Sequence, residues 1–222
     1  MLFIILIAVV LIGLLTAAII STDDSEGANI DDETLMIRAS EVQRYASELE
    51  RAINFIIQNG TSENDIRFAH ADASSAYGNL ASDTDKTDQV FAREGGGATY
   101  RYPPDGVNDG SAWEFYGGTA LPSVGSDRPE LITVLPNVTQ QFCEKINAIY
   151  GQNLTPTDPL TCLYSGTSGQ FGASTQFAGA PNTVDEATFA QDPNTLAART
   201  ALQGCVVCSG AGNTRHFYHV LL

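Results

Sequence analysis

The chain has 222 residues, and its 26 acidic side chains against 11 lysines and arginines give a formal charge of −15. This excludes the basic face that grips nucleic-acid phosphates, and it disfavours docking on an anionic membrane surface. It suits an outer surface whose copies repel one another in solution.

Residues 1–20, MLFIILIAVVLIGLLTAAII, form an apolar run without a charge. A helix rises about 1.5 Å per residue, so the run reaches about 30 Å, the hydrocarbon thickness of a bilayer. Ile5, Val9 and Ile12 lie along it, and Gly13 permits close helix approach or a local kink. No lysine or arginine precedes it, unlike a secretory signal. A basic leader removed just before Met1 would have supplied the charge that orients such a segment.

Residues 21–34 are polar and acidic, with Asp23, Asp24, Glu26, Asp31, Asp32 and Glu33 around Gly27. They read as a solvated joint, with a new helix capped near Asn29 to Asp32. The acidic spacing matches no calcium loop. From Leu35 onward, Leu35, Ala39, Val42, Ala46, Leu49, Ile53 and Ile56 make a seam at helix period. The spacing predicts an amphipathic helix over 35–59, supported by Glu41 with Arg44 and Glu48 with Arg51, and stopped by Asn59-Gly60. The seam can face its own domain, a neighbouring copy, or both.

Residues 60–222 are enough for one domain with a core. A short helix is expected over 65–76, an exposed turn over 82–88, and a flexible Gly95-Gly96-Gly97 that lacks the Lys-Ser/Thr of a phosphate loop. Strands are expected at 98–102, 113–116 and 131–135. A helix over 137–150 would start at Asn137 or Thr139 and show Phe142, Ile146 and Ile149 on one face. Residues 170–178 alternate weakly. Two final strands, 202–208 and 216–222, meet at a turn through Gly210 to Asn213. The fold class is therefore α+β: a long N-terminal α-helical stem, apolar then amphipathic, carrying a head of antiparallel β-sheet with helix on one side.

Four cysteines, Cys143, Cys162, Cys205 and Cys208, argue for two disulfides made outside the cytoplasm. Cys205 and Cys208 have redox spacing, but on a strand their sulfurs face opposite ways and cannot join without a bend. A haem attachment would need histidine where Ser209 stands. His216 and His219 likewise point apart and read as surface histidines. Ser168 lacks the nucleophile-elbow pattern. Nothing recommends catalysis, a metal or a cofactor. Asn59, Asn137 and Asn153 open Asn-x-Thr sequons and are candidate glycosylation sites.

Taken together, the apolar start at Met1, the amphipathic helix to the mid-fifties and the cysteines near the C-terminus resemble a processed type IV pilin or pilin-like protein. The phrases LPNVTQQFCEKIN (135–147) and GCVV…HFYHVLL (204–222) are similar to ones in bacterial prepilin-type proteins. There, a cysteine after LPN pairs with one before the last strand. The resemblance thus implies Cys143 with Cys205; Cys162 is then assigned to Cys208. Bacterial pilins usually carry glutamate at the fifth mature position, where this chain has Ile5; archaeal pilins also lack it.

The resemblance implies a structural, non-enzymatic subunit that is stored in the membrane and released by a prepilin peptidase. It would polymerise into an extracellular filament by packing N-terminal helices of its own copies, with Ile5, Val9, Ile12, Gly13, Leu35, Val42, Leu49, Ile53 and Ile56 as assembly residues. The alternatives are a minor pilin or pseudopilin of a secretion or uptake machine, and a single-pass membrane-anchored ectodomain that binds a ligand.

Overall fold

A computed structural model of the chain describes residues 32–121, 124, 128–150, 157–158, 170–172, 177, 182–183, 202–208 and 212–222. The chain divides into two compact units, Met1–Arg38 and Ala39–Leu222. Helix α1 runs over 32–58, so it takes in Asp32, Glu33 and Thr34 as well as the periodic seam.

Its end is a Schellman stop. Gly60 has φ 97°, its N–H donates to Ile57 O at 2.9 Å, and Thr61 N–H donates to Ile56 O at 3.4 Å. Only glycine takes that backbone conformation without steric cost.

The expected fold class is overturned at this end of the molecule. Among the described residues no helix is long and apolar enough to cross a membrane. Among the described residues the long helical part is α1 alone; residues 1–31, where the apolar part of the stem was expected, lie outside those described. From Ala39 onward α1 is a component of the head and not a stem. Ala39, Val42, Ala46, Leu49, Ile53 and Ile56 are all buried, and so are Tyr45 and Ala52 beside them. Each fully buried Val, Leu or Ile among them contributes roughly 1.5–3 kcal/mol. The seam is thus closed against its own domain.

The sheet also departs from expectation. Four antiparallel strands stand in the order β5-β6-β2-β1: β1 Glu114–Ala120, β2 Glu130–Leu135, β5 Gln203–Cys208 and β6 Thr214–Val220. Two-residue strands, β3 Thr157–Asp158 and β4 Asn182–Thr183, add on in parallel at the β5 and β1 edges, so the sheet is mixed. Register sets the faces, because side chains alternate. Pairs such as Ile132 with Val220 and Val134 with Tyr218 place these residues on one face with Tyr116 and Val206. That face forms a cluster closed by Leu121 and Val124. Phe115, Phe217 and Cys205 belong to the other face, where Phe217 meets Trp113 and Phe142 edge-on. Every residue of β2 is buried, so this strand is covered on both faces and not on one as the sequence implied.

Helix α2, Gln140–Ile149, is capped by Thr139, whose Oγ1 accepts from Phe142 N–H at 3.3 Å. Asn137, the other candidate cap, sits instead in a left-handed turn at φ 55°. Ile149, expected on the buried face, is exposed.

Between α1 and β1 the chain is irregular but packed. The helix expected over 65–76 is replaced by 3₁₀ turns at Glu63–Asp65 and Ser75–Tyr77. Local side chains take the backbone donors there: His70 Nδ1 accepts from Asp72 N–H, and Ser74 Oγ from Ala76 N–H. The strand expected at 98–102 is absent because its donors go elsewhere. Ala98 N–H bonds Val90 O at 3.1 Å, and Arg101 N–H bonds the Tyr45 hydroxyl at 3.2 Å.

The triple glycine is not a flexible link. Gly96 N–H donates to Gln89 O at 3.0 Å and Gly97 N–H to Ala92 O at 2.8 Å. A Cβ on Gly95 would lie 2.6 Å from Lys86 O, and one on Gly96 would lie 2.9 Å from the Ala52 Cβ of α1. Gly95→Ala should therefore cost about 2 kcal/mol or more in chemical denaturation. Gly97→Ala meets open space and should cost only about 1 kcal/mol, for its φ of 66°. Equal costs would show that the loop is not packed.

Candidate functional site

The sequence singles out the cysteines, the histidines, the assembly positions and the sequons, and of these the fold brings Cys205 and His219 to one face of the sheet, where Cys143 of α2 and Glu50 of α1 meet them. Cys143 of α2 and Cys205 of β5 are joined as a disulfide with Cα atoms 5.3 Å apart, the pairing that the resemblance implied. Closing a loop over 62 positions stabilises by about 4 kcal/mol in the chain-entropy account. Cys208 is also in a disulfide, on the opposite face of β5 from Cys205. Cys162 lies outside the described residues.

One turn beyond Cys143, Asn147 faces the same strand. Its Oδ1 accepts from Cys205 N–H at 2.8 Å, and its Nδ2 donates to Cys205 O at 3.2 Å. A buried side-chain amide thus serves as the next peptide of a neighbouring strand. The far edge has a counterpart: the Tyr77 hydroxyl accepts from Phe115 N–H at 2.7 Å. Neither residue was singled out in the sequence. Asn147 had a signal, since it lies four residues after Cys143 and so on the same helix side.

His216 and His219 point to opposite faces as expected, but they are buried and not superficial, at 0% and 5% exposure. His219 Nε2 lies 3.0 Å from Glu50 Oε2 of α1, and its Nδ1 lies 3.1 Å from Gln203 Oε1. Burial lowers its pKa against the opposing pull of the Glu50 carboxylate. His216 Nε2 meets the Thr214 hydroxyl at 3.0 Å, and burial pushes it down to about 4.

Two carboxyls of the sheet are shifted the other way, as is Asp88 of the preceding loop, all by burial. Burial raises Glu114, which accepts from the Tyr116 hydroxyl, and Glu130, which accepts from Leu121 N–H. These histidines and sheet carboxyls are scattered over both faces of the sheet, and among the described residues no three His, Cys, Asp or Glu side chains converge to hold a metal.

A second tie holds α1 to the loop before β1. Arg101 pairs with Glu48 at 3.0 Å and lies 5.8 Å over the Tyr45 ring, while Tyr45 packs on Trp113 at 5.3 Å. Glu48 therefore turns to Arg101, where the sequence had offered Arg51.

The assembly residues separate into two groups. Val42, Leu49, Ile53 and Ile56 are inside their own head and cannot present a face to another copy. Leu35 is half-buried in the other unit, and Met1, Ile5, Val9, Ile12 and Gly13 lie outside the described residues. Of the sequons, Asn59 is exposed at the end of α1. Asn137 donates to Asp109 Oδ2 at 2.9 Å, and the threonine of its sequon is the α2 cap. Asn153 and Ser168 are outside the described residues. Comparison with protein-family models, with curated proteins and with solved structures finds no match to this chain.

An imidazole that is neutral when folded and charged when unfolded binds more protons in the unfolded chain, so it makes stability rise with pH. For His216 the window runs from about 4 to 6.5, with stability lost as pH falls through it. The wild type should lose about 3 kcal/mol more than His216→Gln across this range. Paired denaturation curves check this difference, in which the opposite contributions of Glu114 and Glu130 cancel. Parallel curves for the two proteins would place the imidazole in a solvated setting.

Proposed function

We propose that the chain is a structural subunit of an extracellular, type IV pilus-like filament, held in a membrane before assembly. It associates through the apolar residues 1–20, after removal of a leader by a prepilin peptidase. The observation that carries this reading is the closure of the head. Its helix seam is buried, β2 is covered on both faces, and side chains occupy the edges at Phe115 and Cys205.

A run of twenty uncharged apolar residues needs a partner other than water, first lipid and then neighbouring copies. Head-to-tail contacts that do not close on themselves give a helix of subunits. The disulfides suit assembly outside the cytoplasm, and the acidic heads suit a soluble outer wall.

Two substitutions separate assembly from folding. Ile12→Lys puts a charge in the apolar run, at about 2.5–3.5 kcal/mol if that run is taken into a bilayer. It should abolish filaments in material sheared from cells while leaving the head protease-resistant. Val42→Lys should destroy the head itself, because that position is 1% exposed. Negative-stain microscopy with mass spectrometry of the N-terminal peptide reads both. Dispersed membrane particles with an unprocessed leader in the wild type would replace the filament reading with that of an anchored ectodomain.

A further inference from the structure

Beside the Tyr45–Arg101 tie lies a cleft of about 230 Å³, whose polar and aromatic lining is Glu41, Arg44, Tyr45, Arg101, Tyr102 and Trp113, with Val42 and Pro104 adding apolar surface. Its aromatic lining is partly fixed. Trp113 is fully buried, and the Tyr45 hydroxyl is held by Arg101 N–H. Arg101 is engaged with Glu48. Three other groups are uncommitted. Within the described residues neither Glu41 nor Arg44 forms an ion pair, although both lie on the solvent side of α1. Tyr102 is 62% exposed and touches only the edge of Tyr100 among the described rings.

The charges narrow the ligand by elimination. A simple anion attracted to Arg44 would meet Glu41, and a simple cation attracted to Glu41 would meet Arg44. An apolar ligand would cover both charges without satisfying either, which is costly. A neutral polyhydroxylated ring meets every requirement. Each hydroxyl both donates and accepts, so one can accept from the Arg44 guanidinium while another donates to the Glu41 carboxylate. The C–H face of such a ring packs on the exposed ring of Tyr102, whose negative face favours positive C–H edges, while Tyr45 and Trp113, both buried, form the floor beneath. The volume suits one ring with its neighbours left outside the cleft.

We infer that this cleft is a binding site for a neutral sugar residue of a glycan. Arg44 and Glu41 hold its hydroxyls, and Tyr102 closes over its ring.

The chain carries its own reporter, because Trp113 is its single tryptophan. Full-length protein in a sugar-free polyoxyethylene detergent would be titrated with glucose, galactose, mannose and N-acetylglucosamine and their short oligomers. Tryptophan fluorescence and saturation-transfer NMR of the sugar protons would be followed together. Saturable binding of at least one sugar is expected, in the millimolar range typical of a small polar ligand. Tyr102→Ala and Arg44→Ala, both at exposed positions, should each weaken it about tenfold with unchanged thermal unfolding. The inference is overturned by flat titrations in both readouts across the panel. Saturation by zwitterionic phenylalanine but by no sugar would also overturn it, as would wild-type affinity in both variants.

Discussion

A small antiparallel sheet has two open edges, and closing them is the constraint on which this fold depends. Unpaired strand edges recruit other chains and promote aggregation. Here the β5 edge is occupied by Asn147, whose amide makes the two hydrogen bonds to Cys205 that a further strand would have made. At the β1 edge the Tyr77 hydroxyl takes Phe115 N–H, and Phe171 N–H donates to Phe115 O at 2.7 Å. The added parallel strands are only two residues long. The disulfide has its place in the same scheme. Cys143 and Asn147 are one helical turn apart, so the covalent link holds the amide in register with the strand it seals.

Once the edges are closed, the helices have fixed seats. Helix α2 is bound to β5 by covalent and hydrogen bonds, and Phe142 carries it on to Phe217 of the neighbouring strand. Phe217 in turn meets Trp113, and Trp113 meets Tyr45 of α1, so one aromatic chain runs from α2 across the sheet to α1. The loop between α1 and β1 is part of this core. Phe68 stacks on Phe115 with centroids 4.0 Å apart, and His70 stacks on Tyr100 at 5.3 Å. Such pairs add to simple area burial. Their density explains how a stretch without regular secondary structure keeps two glycines pressed against backbone carbonyls.

The buried polar groups tell the same story in electrostatic terms. His219 lies between Glu50 and Gln203, and so joins α1 to both β5 and β6. An unpartnered imidazole at that depth would destabilise the fold, so the polar pair also specifies where α1 sits along the sheet. Functionally, this leaves the helix seam unavailable to other copies. Any assembly then falls to other parts of the chain, and the proposal assigns it to residues 1–20.

Much of the local structure is written in the sequence. The period of the α1 seam, its Asn59-Gly60 stop and the four long strands follow from side-chain spacing and backbone preference over a few residues, as does the start of α2 at either Asn137 or Thr139. The opposite orientations of Cys205 and Cys208, and of His216 and His219, follow from strand geometry alone. The uncharged run of residues 1–20 and the acidic balance are likewise properties of the sequence itself. What the sequence left open was the partner of each face, because periodicity identifies an apolar stripe but not what covers it. Only the tertiary structure decided that Val42, Leu49, Ile53 and Ile56 are buried within their own domain, that both histidines are buried, and that three glycines in a row are held and not loose. It also set Asn147 and Tyr77 on the sheet edges. Those outcomes depend on contacts between residues far apart in the chain, such as the 169 positions between Glu50 and His219, and no local pattern encodes such a meeting.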